Sequence, residues 1–434
     1  MKPLKVLHLT AHLGGGVGKA LSGLAKACDD ELGHVQRTVV CAETPEKSMF
    51  LDAIRASGCE VLVNPTKGAF RDKLADADIV QLEWWNHPET IRLLVEQCSD
   101  IPHRLLVWAH VSGLGSSMIP ANLMAYADRF CFTSPCSLEQ KNNPPYCTDS
   151  EKFRVISSGG GFDGFDVFKR KPSDRLRVGY VGTLNFSKLH PDFVHYLSRV
   201  DVPDFQVRMI GDEVNRGLLE DQCKSLGHPG ILQFAGFTPK VAEELACMDI
   251  LVYLLNPTHY GTAENALLEA MAMGVVPIVL ANPAEKHIVS HLYNGLVVDS
   301  PEEFAEGVHR LYSDQSLLDE LSKNAQQSVR DNFCPQRSAK QFSLIYLQVM
   351  QQEKHVIEYR DVFGQSPAEW FLSCQPLKDV FQTETWHRIA DERFARYALI
   401  EQTKGSVHHF ARAFPESLEL KDWSSKIRAF EYAN

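Results

Sequence analysis

The sequence predicts an α/β protein made of two Rossmann-like domains that face each other across a cleft, followed by a helical appendage. Three observations support this fold class. Short β-branched runs alternate with helical patterns, the alternation stops at a glycine-rich and basic stretch and then resumes, and strand-forming runs end near Met350. The predicted domains are residues 1–170, residues 171–350 and an appendage of residues 351–434.

Each domain contains a series of short strand-forming runs. The runs of the first domain are KVLHLT, RTVVCAE, EVLVN, DIVQLEW, HRLLVWAH and DRFCFTS. Those of the second domain are RVGYVG, FQVRMIG, ILQFAG, DILVYLL, VPIVLA and GLVVD. Such alternation indicates βαβ units in a parallel sheet, whose ligands bind at the carboxyl ends of the strands. We therefore look for a site in the loops that follow these runs.

The appendage has helical character, many aromatic residues and no strand-forming run. It is interpreted as a packing arm that braces the two domains. The alternative is a contact surface for an oligomer, a membrane or an acceptor.

Composition excludes several classes of protein. The chain of 434 residues has a formal charge of −11, which argues against nucleic acid as the partner because such binding relies on clustered positive charge. Eleven cysteines without a Cys-x-x-Cys pair argue against a zinc ribbon or a disulfide framework and favour a reducing cytoplasm. No apolar run approaches the roughly 20 residues of a membrane span. We expect a cytoplasmic protein, at most peripheral to a membrane.

The loop after the first strand, LTAHLGGGVGKAL, resembles two phosphate-binding motifs and matches neither. A P-loop requires glycine where Leu13 stands and a hydroxyl where Ala20 stands, and the dinucleotide motif requires glycine in place of Lys19. The loop does retain a strand, a glycine run and a helix start. These features favour close approach of an anion to free backbone amides.

The segment NPTHYGTAENALLEAMAMGVVPIVLANPAE, residues 256–285, carries the densest signal. A polar loop follows a predicted strand, and ENALLEAMAMG then predicts a helix that ends at Gly274. The start of this helix is a second anion site, and Glu269 projects from its first turns.

The two domains, the glycine loop and the segments LLEAMAMGVVPIV and NGLVVD together resemble the retaining GT-B glycosyltransferases of family 4. The resemblance covers roughly Lys5 to Met350 and is most specific in the second domain. It implies transfer of a sugar from a nucleotide-diphosphate sugar to a saccharide or other hydroxyl acceptor, with retention at the anomeric carbon and without a metal ion. Bacterial surface-polysaccharide assembly is the setting that it implies.

The resemblance also implies a donor site around the predicted helix. The family carries a Glu-x7-Glu motif, in which the second glutamate binds the ribose and matches Glu269. Gly261 stands at the position of the first glutamate, which lies against the donor sugar, so Glu264 is the candidate replacement. The backbone that holds the sugar and the diphosphate maps onto Thr262, Ala263, Asn265 and Ala266.

Further site residues in three other segments follow from the same resemblance. The segment GTLNFSK places Lys188 as the diphosphate-binding lysine, with Thr183 in place of the family's arginine. His110, at the end of LLVWAH, matches a histidine that contacts the donor sugar. Gly15 and Gly16 match a glycine pair that lets backbone approach the donor phosphate and the acceptor. His110 and Glu264 are thus the candidate catalytic residues.

Two alternatives remain open, and Gly261 and Thr183 favour the first of them. One is a nucleotide-sugar-binding or regulatory subunit without transfer activity, and the other is a GT-B epimerase that acts on the nucleotide sugar. The predicted partners are a nucleotide sugar, a saccharide or lipid-linked acceptor, a membrane surface in peripheral contact and a second copy of the chain bound through the appendage.

Three short patterns imitate other sites. Asp76–Asp78 resembles a metal-binding Asp-x-Asp but precedes a strand, so it is interpreted as a helix end. The HIVSH pattern at His287–His291 lacks the glutamate of a zinc protease. Glu83–Trp85 is interpreted as packed aromatic residues, with a stacking platform for an acceptor sugar as the alternative.

Overall fold

The computed structural model describes residues 2–27, 35–45, 47–139, 151–162, 165, 175–386, 388, 393–403 and 405–433. The chain forms two compact units. The first contains Met1–Gly161, Tyr260–Ala263 and Pro335–Asn434, and the second contains Phe162–His259 and Glu264–Cys334. The predicted boundary between residues 170 and 171 lies outside the described residues.

A parallel sheet with the strand order β3-β2-β1-β4-β5-β6-β7 forms the centre of the first unit. Its strands are β1 (Leu4–Thr10), β2 (Val35–Cys41), β3 (Glu60–Val63), β4 (Ile79–Trp84), β5 (Leu105–Ala109), β6 (Arg129–Phe132) and β7 (Phe153–Val155). The six predicted strands are confirmed, and β7 is an additional one. The winding of the sheet reverses between β1 and β4, where open α/β sheets bind ligands.

Helices cover both faces of this sheet. Those before the second unit are Gly16–Lys26, Met49–Ala56, Lys67–Asp76, Pro88–Leu93 and Ala121–Tyr126, with a π-helical turn at Leu94–Cys98 and a 3-10 helix at Pro135–Glu139. Helix Lys67–Asp76 begins at Thr66, whose hydroxyl accepts a hydrogen bond from the Ala69 amide at 3.3 Å. Its end at Asp76 agrees with the interpretation of Asp76–Asp78 as a helix end.

The C-terminal part of the chain also belongs to the first unit. Its helices are Pro335–Val349, Tyr359–Phe363, Pro367–Ser373, Lys378–Thr383, Arg396–Ile400, Val407–Ala413 and Leu418–Ala433. Helix Pro335–Val349, predicted as part of the second domain, packs Phe342 against Trp108 with a ring-centroid distance of 4.8 Å. The predicted appendage supplies aromatic side chains, among them Phe371 and Phe410, to a core that also contains Trp84 of β4. It is therefore an integral layer of the first unit.

The second unit contains a parallel sheet with the strand order β10-β9-β8-β11-β12-β13. Its strands are β8 (Val178–Val181), β9 (Val207–Ile210), β10 (Leu232–Gly236), β11 (Ile250–Tyr253), β12 (Val276–Leu280) and β13 (Leu296–Val298). Its helices are Phe193–Leu197, Arg216–Ser225, Val241–Leu245, Asn265–Ala272, Pro283–Lys286, Pro301–Ser313 and Gln315–Asn332. All six predicted strands are confirmed. The predicted helix of residues 264–274 is confirmed as Asn265–Ala272, and Gly274 follows it with a φ of +78°.

Within the described residues, no helix combines the length and the apolar character needed to cross a bilayer.

Candidate active site

In the second unit, Glu264 lies between β11 and helix Asn265–Ala272 in an uncommon backbone conformation. Its φ is +42°, a left-handed value that costs a residue with a Cβ roughly 1–2 kcal/mol. Its side chain is 1% exposed. The surrounding contacts therefore have to stabilise both the backbone and the buried carboxylate.

Lys188 and Tyr253 supply these contacts. The Lys188 Nζ lies 3.1 Å from the Glu264 Oε2, and the Tyr253 hydroxyl donates to the same oxygen at 2.5 Å. Burial alone would raise the pKa of Glu264, but the positive charge of Lys188 is the largest of the influences that outweigh burial and lower it. Glu264 is thus an ionised counterion to the lysine predicted to bind diphosphate.

His259 extends this network to a second carboxylate. Its Nδ1 lies 3.7 Å from the Glu264 Oε1, and its Nε2 lies 3.0 Å from the Glu285 Oε1. Burial lowers the pKa of a histidine, but the charge of Glu285 and its hydrogen bond outweigh burial here, so the pKa of His259 is raised. The raised pKa favours the protonated ring, so Lys188 and His259 face the carboxylates of Glu264 and Glu285 as a mixed group of cationic and anionic side chains. His259, Glu264 and Glu285 also have the composition of a metal site, and the raised pKa of His259 favours ion pairing there, because a ring protonated at both nitrogens has no lone pair for a metal ion.

Of the other predicted donor residues of the second unit, Asn265, Ala266 and Glu269 lie on the helix that follows Glu264, whereas Thr183 follows β8. Glu269 and Ala266 are half-buried on helix Asn265–Ala272. The side-chain oxygen of Asn265, the first residue of this helix, is buried without a hydrogen-bond partner in the described part of the chain. Thr183 is held in its own turn, because its carbonyl accepts from the Tyr180 hydroxyl at 2.8 Å. Among the predicted donor residues of the second unit, the structure brings Lys188 and Glu264 into direct contact.

In the first unit, the glycine loop precedes helix Gly16–Lys26. Gly15 caps this helix, and a Cβ on Gly15 would meet no atom within 4 Å, so the backbone here is open to a ligand. The fold itself instead requires Gly18, where a Cβ would lie 2.1 Å from the Leu13 carbonyl oxygen. The sequence drew attention to Gly15 and Gly16 and gave no sign of this packing constraint.

Two predicted donor residues, Thr262 and Ala263, belong to the first unit and are buried. The Oγ1 atoms of Thr262 and Thr133 lie 2.7 Å apart in a hydrogen bond. The Thr262 side chain is thus anchored just after β6.

His110 follows β5 directly, at the carboxyl edge of the sheet. Its amide donates to the Trp84 carbonyl at 2.7 Å, and its Nε2 donates to the Glu83 Oε2 at 2.9 Å. The side chain of His110 is 6% exposed and that of Glu83 is fully buried. Glu83 therefore accepts the hydrogen bond from the Nε2 of His110 and fixes the orientation of the ring, which leaves Nδ1 as the ring nitrogen that does not contact Glu83.

Glu83 is the centre of a buried polar network that sequence reasoning missed. The His8 Nδ1 and the Gln81 Nε2 each donate to its Oε1 at 2.9 Å, and the Tyr346 hydroxyl donates to the Gln81 side-chain oxygen at 2.7 Å. Burial would raise the pKa of Glu83, but hydrogen bonds from His110 and His8 outweigh it and lower the pKa. Burial lowers the pKa of His8, which keeps that ring neutral. The signal available in the sequence was the presence of polar residues inside apolar runs, namely His8 in KVLHLT and Gln81 and Glu83 in DIVQLEW.

Two of the imitating patterns have structural explanations as well. Trp84 is fully buried and stacks on Phe363 with a ring-centroid distance of 5.5 Å, as expected for packed aromatic residues. His287 follows the short helix Pro283–Lys286, and the chain between it and His291 is not helical. The two histidines therefore do not lie one turn apart on a helix.

Comparison with known proteins agrees with this architecture. The profile of the family described as glycosyl transferases group 1 matches residues 164–328. A glycosyltransferase from Rickettsia africae ESF-5 has a TM-score of 0.65 and 16% identity, with 81% of this chain and 100% of that chain covered. Anabaena Alr3699/HepE, solved in complex with UDP and glucose, has a TM-score of 0.64 and 16% identity, with 80% of this chain and 100% of that chain covered. The chain has the GT-B glycosyltransferase fold.

At the level of sequence, the chain is 34% identical over 190 residues to the protein of Bacillus subtilis (strain 168) named "Putative glycosyltransferase YtcC". This alignment covers 41% of this chain and 46% of YtcC. The chain spans about half the length of the curated relatives it matches. The group 1 profile falls on the second unit of the GT-B fold, the unit in which Lys188 and Glu264 are paired.

Proposed function

We propose that the protein is a retaining glycosyltransferase, which moves a sugar from a nucleotide-diphosphate sugar to a saccharide or other hydroxyl acceptor. The observation that carries this proposal is the pairing of Lys188 with Glu264 beside the start of helix Asn265–Ala272. A lysine at the amino end of a helix suits a diphosphate, because both the ammonium group and the free helix amides favour an anion.

The proposed chemistry places its main electrostatic demand on the leaving group. Negative charge develops on the diphosphate as the bond to the anomeric carbon breaks, and Lys188 together with the helix amides stabilises that charge. Glu264 keeps the ammonium group in place before the donor binds. Both Glu264 oxygens lie near positive groups or donors, so its role as a carboxylate against the donor sugar stays a prediction.

His110 acts as a positioning group in this proposal. Glu83 fixes its tautomer and its ring orientation, so His110 presents Nδ1 as an acceptor for a sugar hydroxyl. Glu269, on the helix that follows Glu264, binds the ribose hydroxyls. The reaction proceeds without a metal ion, which is supported by the ion-paired state of His259.

The first experiment is a thermal-shift screen with nucleoside diphosphates and nucleotide sugars, starting with UDP and UDP-glucose because HepE was solved with UDP and glucose. A ligand that binds the native state raises the melting temperature, by an amount that grows with its concentration relative to Kd. Selective stabilisation by one nucleotide sugar, lost in Glu269→Ala and retained in the surface control Glu302→Ala, is expected. Transfer is then assayed with that donor.

The outcomes separate the alternatives. Stabilisation followed by acceptor-dependent product supports the transferase. Stabilisation without product, across a broad set of acceptors, would instead identify a nucleotide-sugar-binding subunit. Conversion of the donor alone into its epimer would identify an epimerase. Absence of any stabilisation would reject the proposed donor site.

A further inference from the structure

A second polar cluster lies in the first unit, apart from the network around Glu83. His12 follows β1 by two residues, Glu43 follows β2 by two residues, and Trp85 and His87 follow β4. His409, on helix Val407–Ala413 of the C-terminal part, completes what we call the imidazole cluster. These loops share the carboxyl edge of the sheet, where open α/β sheets bind ligands.

The members of the imidazole cluster are in close contact. The His87 Nε2 lies 3.3 Å and the His12 Nε2 lies 3.8 Å from the Glu43 Oε1. The Trp85 ring centroid lies 5.1 Å from that of His12 and 4.7 Å from that of His87. The rings of His87 and His409 are 4.6 Å apart, so the C-terminal helix contributes directly to this cluster.

The imidazole cluster is partly open to solvent, and buried polar atoms without hydrogen-bond partners in the residues that the structure describes occur on Trp85 and on its neighbour in the sequence, Asn86. The Glu43 side chain is 39% exposed and that of His12 is 27% exposed, whereas that of His87 is 2% exposed. Among the described residues, the Trp85 Nε1 and both polar side-chain atoms of the adjacent Asn86 are buried without a hydrogen-bond partner. Such groups are costly unless a ligand or water satisfies them.

Two histidines and one carboxylate at these distances have the composition of a metal site, but the hydrogen bonds argue against one. The Nδ1 of His12 accepts from the Gly14 amide at 3.0 Å, and the Nδ1 of His87 accepts from the Glu89 amide at 3.2 Å. A neutral ring that accepts at Nδ1 carries its proton on Nε2. The nitrogens that face Glu43 are therefore donors, whereas a metal ion needs their lone pairs.

The negative charge of Glu43 argues against an anionic ligand and favours an uncharged one. Burial would raise the pKa of Glu43, but the hydrogen bond that it accepts from His87 is the largest of the influences that outweigh burial and lower the pKa. An ionised carboxylate at the mouth of the cluster repels phosphate and other anions. Imidazole donors, a carboxylate acceptor and an indole ring together match the hydroxyl groups and the apolar face of an uncharged sugar.

We propose that the imidazole cluster binds a neutral saccharide, and that this saccharide is the end of the acceptor that the enzyme recognises. The proposal of an acceptor role rests on the proposed function, whereas binding of the saccharide does not. The C-terminal part of the chain then has a specific task, because His409 forms one wall of the site.

The test is ligand-observed saturation-transfer NMR on the full chain, with two sets of probes. One set contains methyl glycosides of glucose, galactose, mannose and N-acetylglucosamine, and the other contains the corresponding sugar phosphates. Wild type is expected to bind at least one methyl glycoside and to bind its phosphorylated counterpart more weakly. Glu43→Gln should weaken glycoside binding roughly tenfold, because it replaces a charge-assisted hydrogen bond by a neutral one.

Matched controls separate the cluster from general effects on folding. Glu60 has a similarly exposed side chain, 42%, and also forms an ion pair, but it begins β3 and so lies at the opposite edge of the sheet. Glu60→Gln should bind the glycosides as wild type does. His409→Ala should weaken glycoside binding, and His309→Ala, on an exposed helix surface of the second unit, should not. The melting-temperature shift produced by UDP serves as a folding check for every variant.

Several outcomes would overturn this proposal. They are the binding of no methyl glycoside, preferential binding of sugar phosphates, or unchanged glycoside binding in Glu43→Gln. Stoichiometric zinc binding that disappears in Glu43→Gln would identify a metal site instead. If the glycosides fail to bind while UDP still stabilises the protein, the saccharide site is rejected and the donor site stands.

Discussion

Each unit buries a carboxylate near the carboxyl edge of its sheet, but the two are stabilised differently. Glu264 of the second unit pairs with Lys188, and it also lies near His259, whose raised pKa favours the charged ring and which contacts Glu285. Glu83 of the first unit is surrounded by the neutral donors His8 and Gln81 and by His110. The comparison shows that one fold offers two ways to keep a carboxylate ionised inside the protein. The first unit uses directed hydrogen bonds, which fix tautomers, and the second uses charge, which attracts a charged ligand.

The largest expected effect is a loss of stability of the second unit when the Lys188–Glu264 ion pair is broken. Lys188→Met leaves the Glu264 carboxylate buried beside His259 without its lysine, which should lower the free energy of unfolding of the second unit by about 3 kcal/mol. Chemical denaturation followed by hydrogen exchange in β11 measures this loss. The double variant Lys188→Met/Glu264→Gln should recover part of it, because the uncompensated charge is gone. Equal stability of both variants would contradict the assignment of Glu264 as the counterion of Lys188.

A smaller effect is expected from breaking the neutral network. In Glu83→Gln, an amide group can turn its N–H toward the His110 N–H, so the ring loses its fixed orientation. Under the proposed function kcat should fall roughly a hundredfold. The KM for the donor and the melting-temperature shift with UDP should stay the same, and the pH–rate profile should change. Unchanged kcat would show that Glu83 only fills the core, and Glu60→Gln again serves as the control.

The buried histidines of the two units should also make their stabilities respond to pH in opposite directions near neutral pH, above the range in which Glu83 and Glu264 are protonated. The pKa of His259 is raised, so its contribution to stability is complete below the unfolded value near 6.5 and is lost as the pH rises through its folded pKa. The pKa of His8 is lowered, so the first unit loses stability as the pH falls below about 6.5, because only the unfolded chain gains that proton. The lowered pKa of Glu83 adds to this loss at lower pH still.

Hydrogen exchange in β4 and in β11, corrected for the intrinsic rates, can follow the two units separately. Acid should reduce protection in β4 and alkali should reduce it in β11. His8→Asn and His259→Asn should each reduce the pH dependence of their own unit only, by the contribution of the histidine that is removed. The same response in both units would contradict the comparison.

The smallest effect is expected from removal of metal ions. Because His259 is paired between two carboxylates, EDTA should leave both the UDP-induced melting shift and the transfer rate unchanged within error. Loss of activity in EDTA, followed by recovery on addition of Mg²⁺ or Mn²⁺, would show that the charged group of the second unit works with a cation.

The sequence predicted the strands well because each is a short apolar run between polar loops. It missed β7, which has only three residues and lies beside a glycine-rich stretch. It placed helix Pro335–Val349 in the wrong unit, because amphipathic periodicity shows that a helix is buried but not which surface covers it.

The site residues likewise divide into those that local sequence selects and those whose contacts only the folded chain shows. His110 and Lys188 follow strands in recognisable motifs, so local sequence was enough to select them. Their pairing with Glu83 and with Glu264 was revealed by distance in space, since the first pair is separated by 27 positions and the second by many more. Gly18 was missed because its constraint comes from the approach of the Leu13 carbonyl, which no spacing rule encodes.

The position of helix Pro335–Val349 also bears on how the chain is made. This helix covers Trp108 and contacts helix Gly16–Lys26, so the first unit is finished by residues that follow the whole second unit in the sequence. During synthesis, residues 1–161 leave the ribosome with the surface around Trp108 still uncovered, whereas the second unit has all of its strands by Val298. The unit that is translated first is therefore the last to be completed, and a nascent chain that stalls before residue 335 presents an aromatic surface to chaperones.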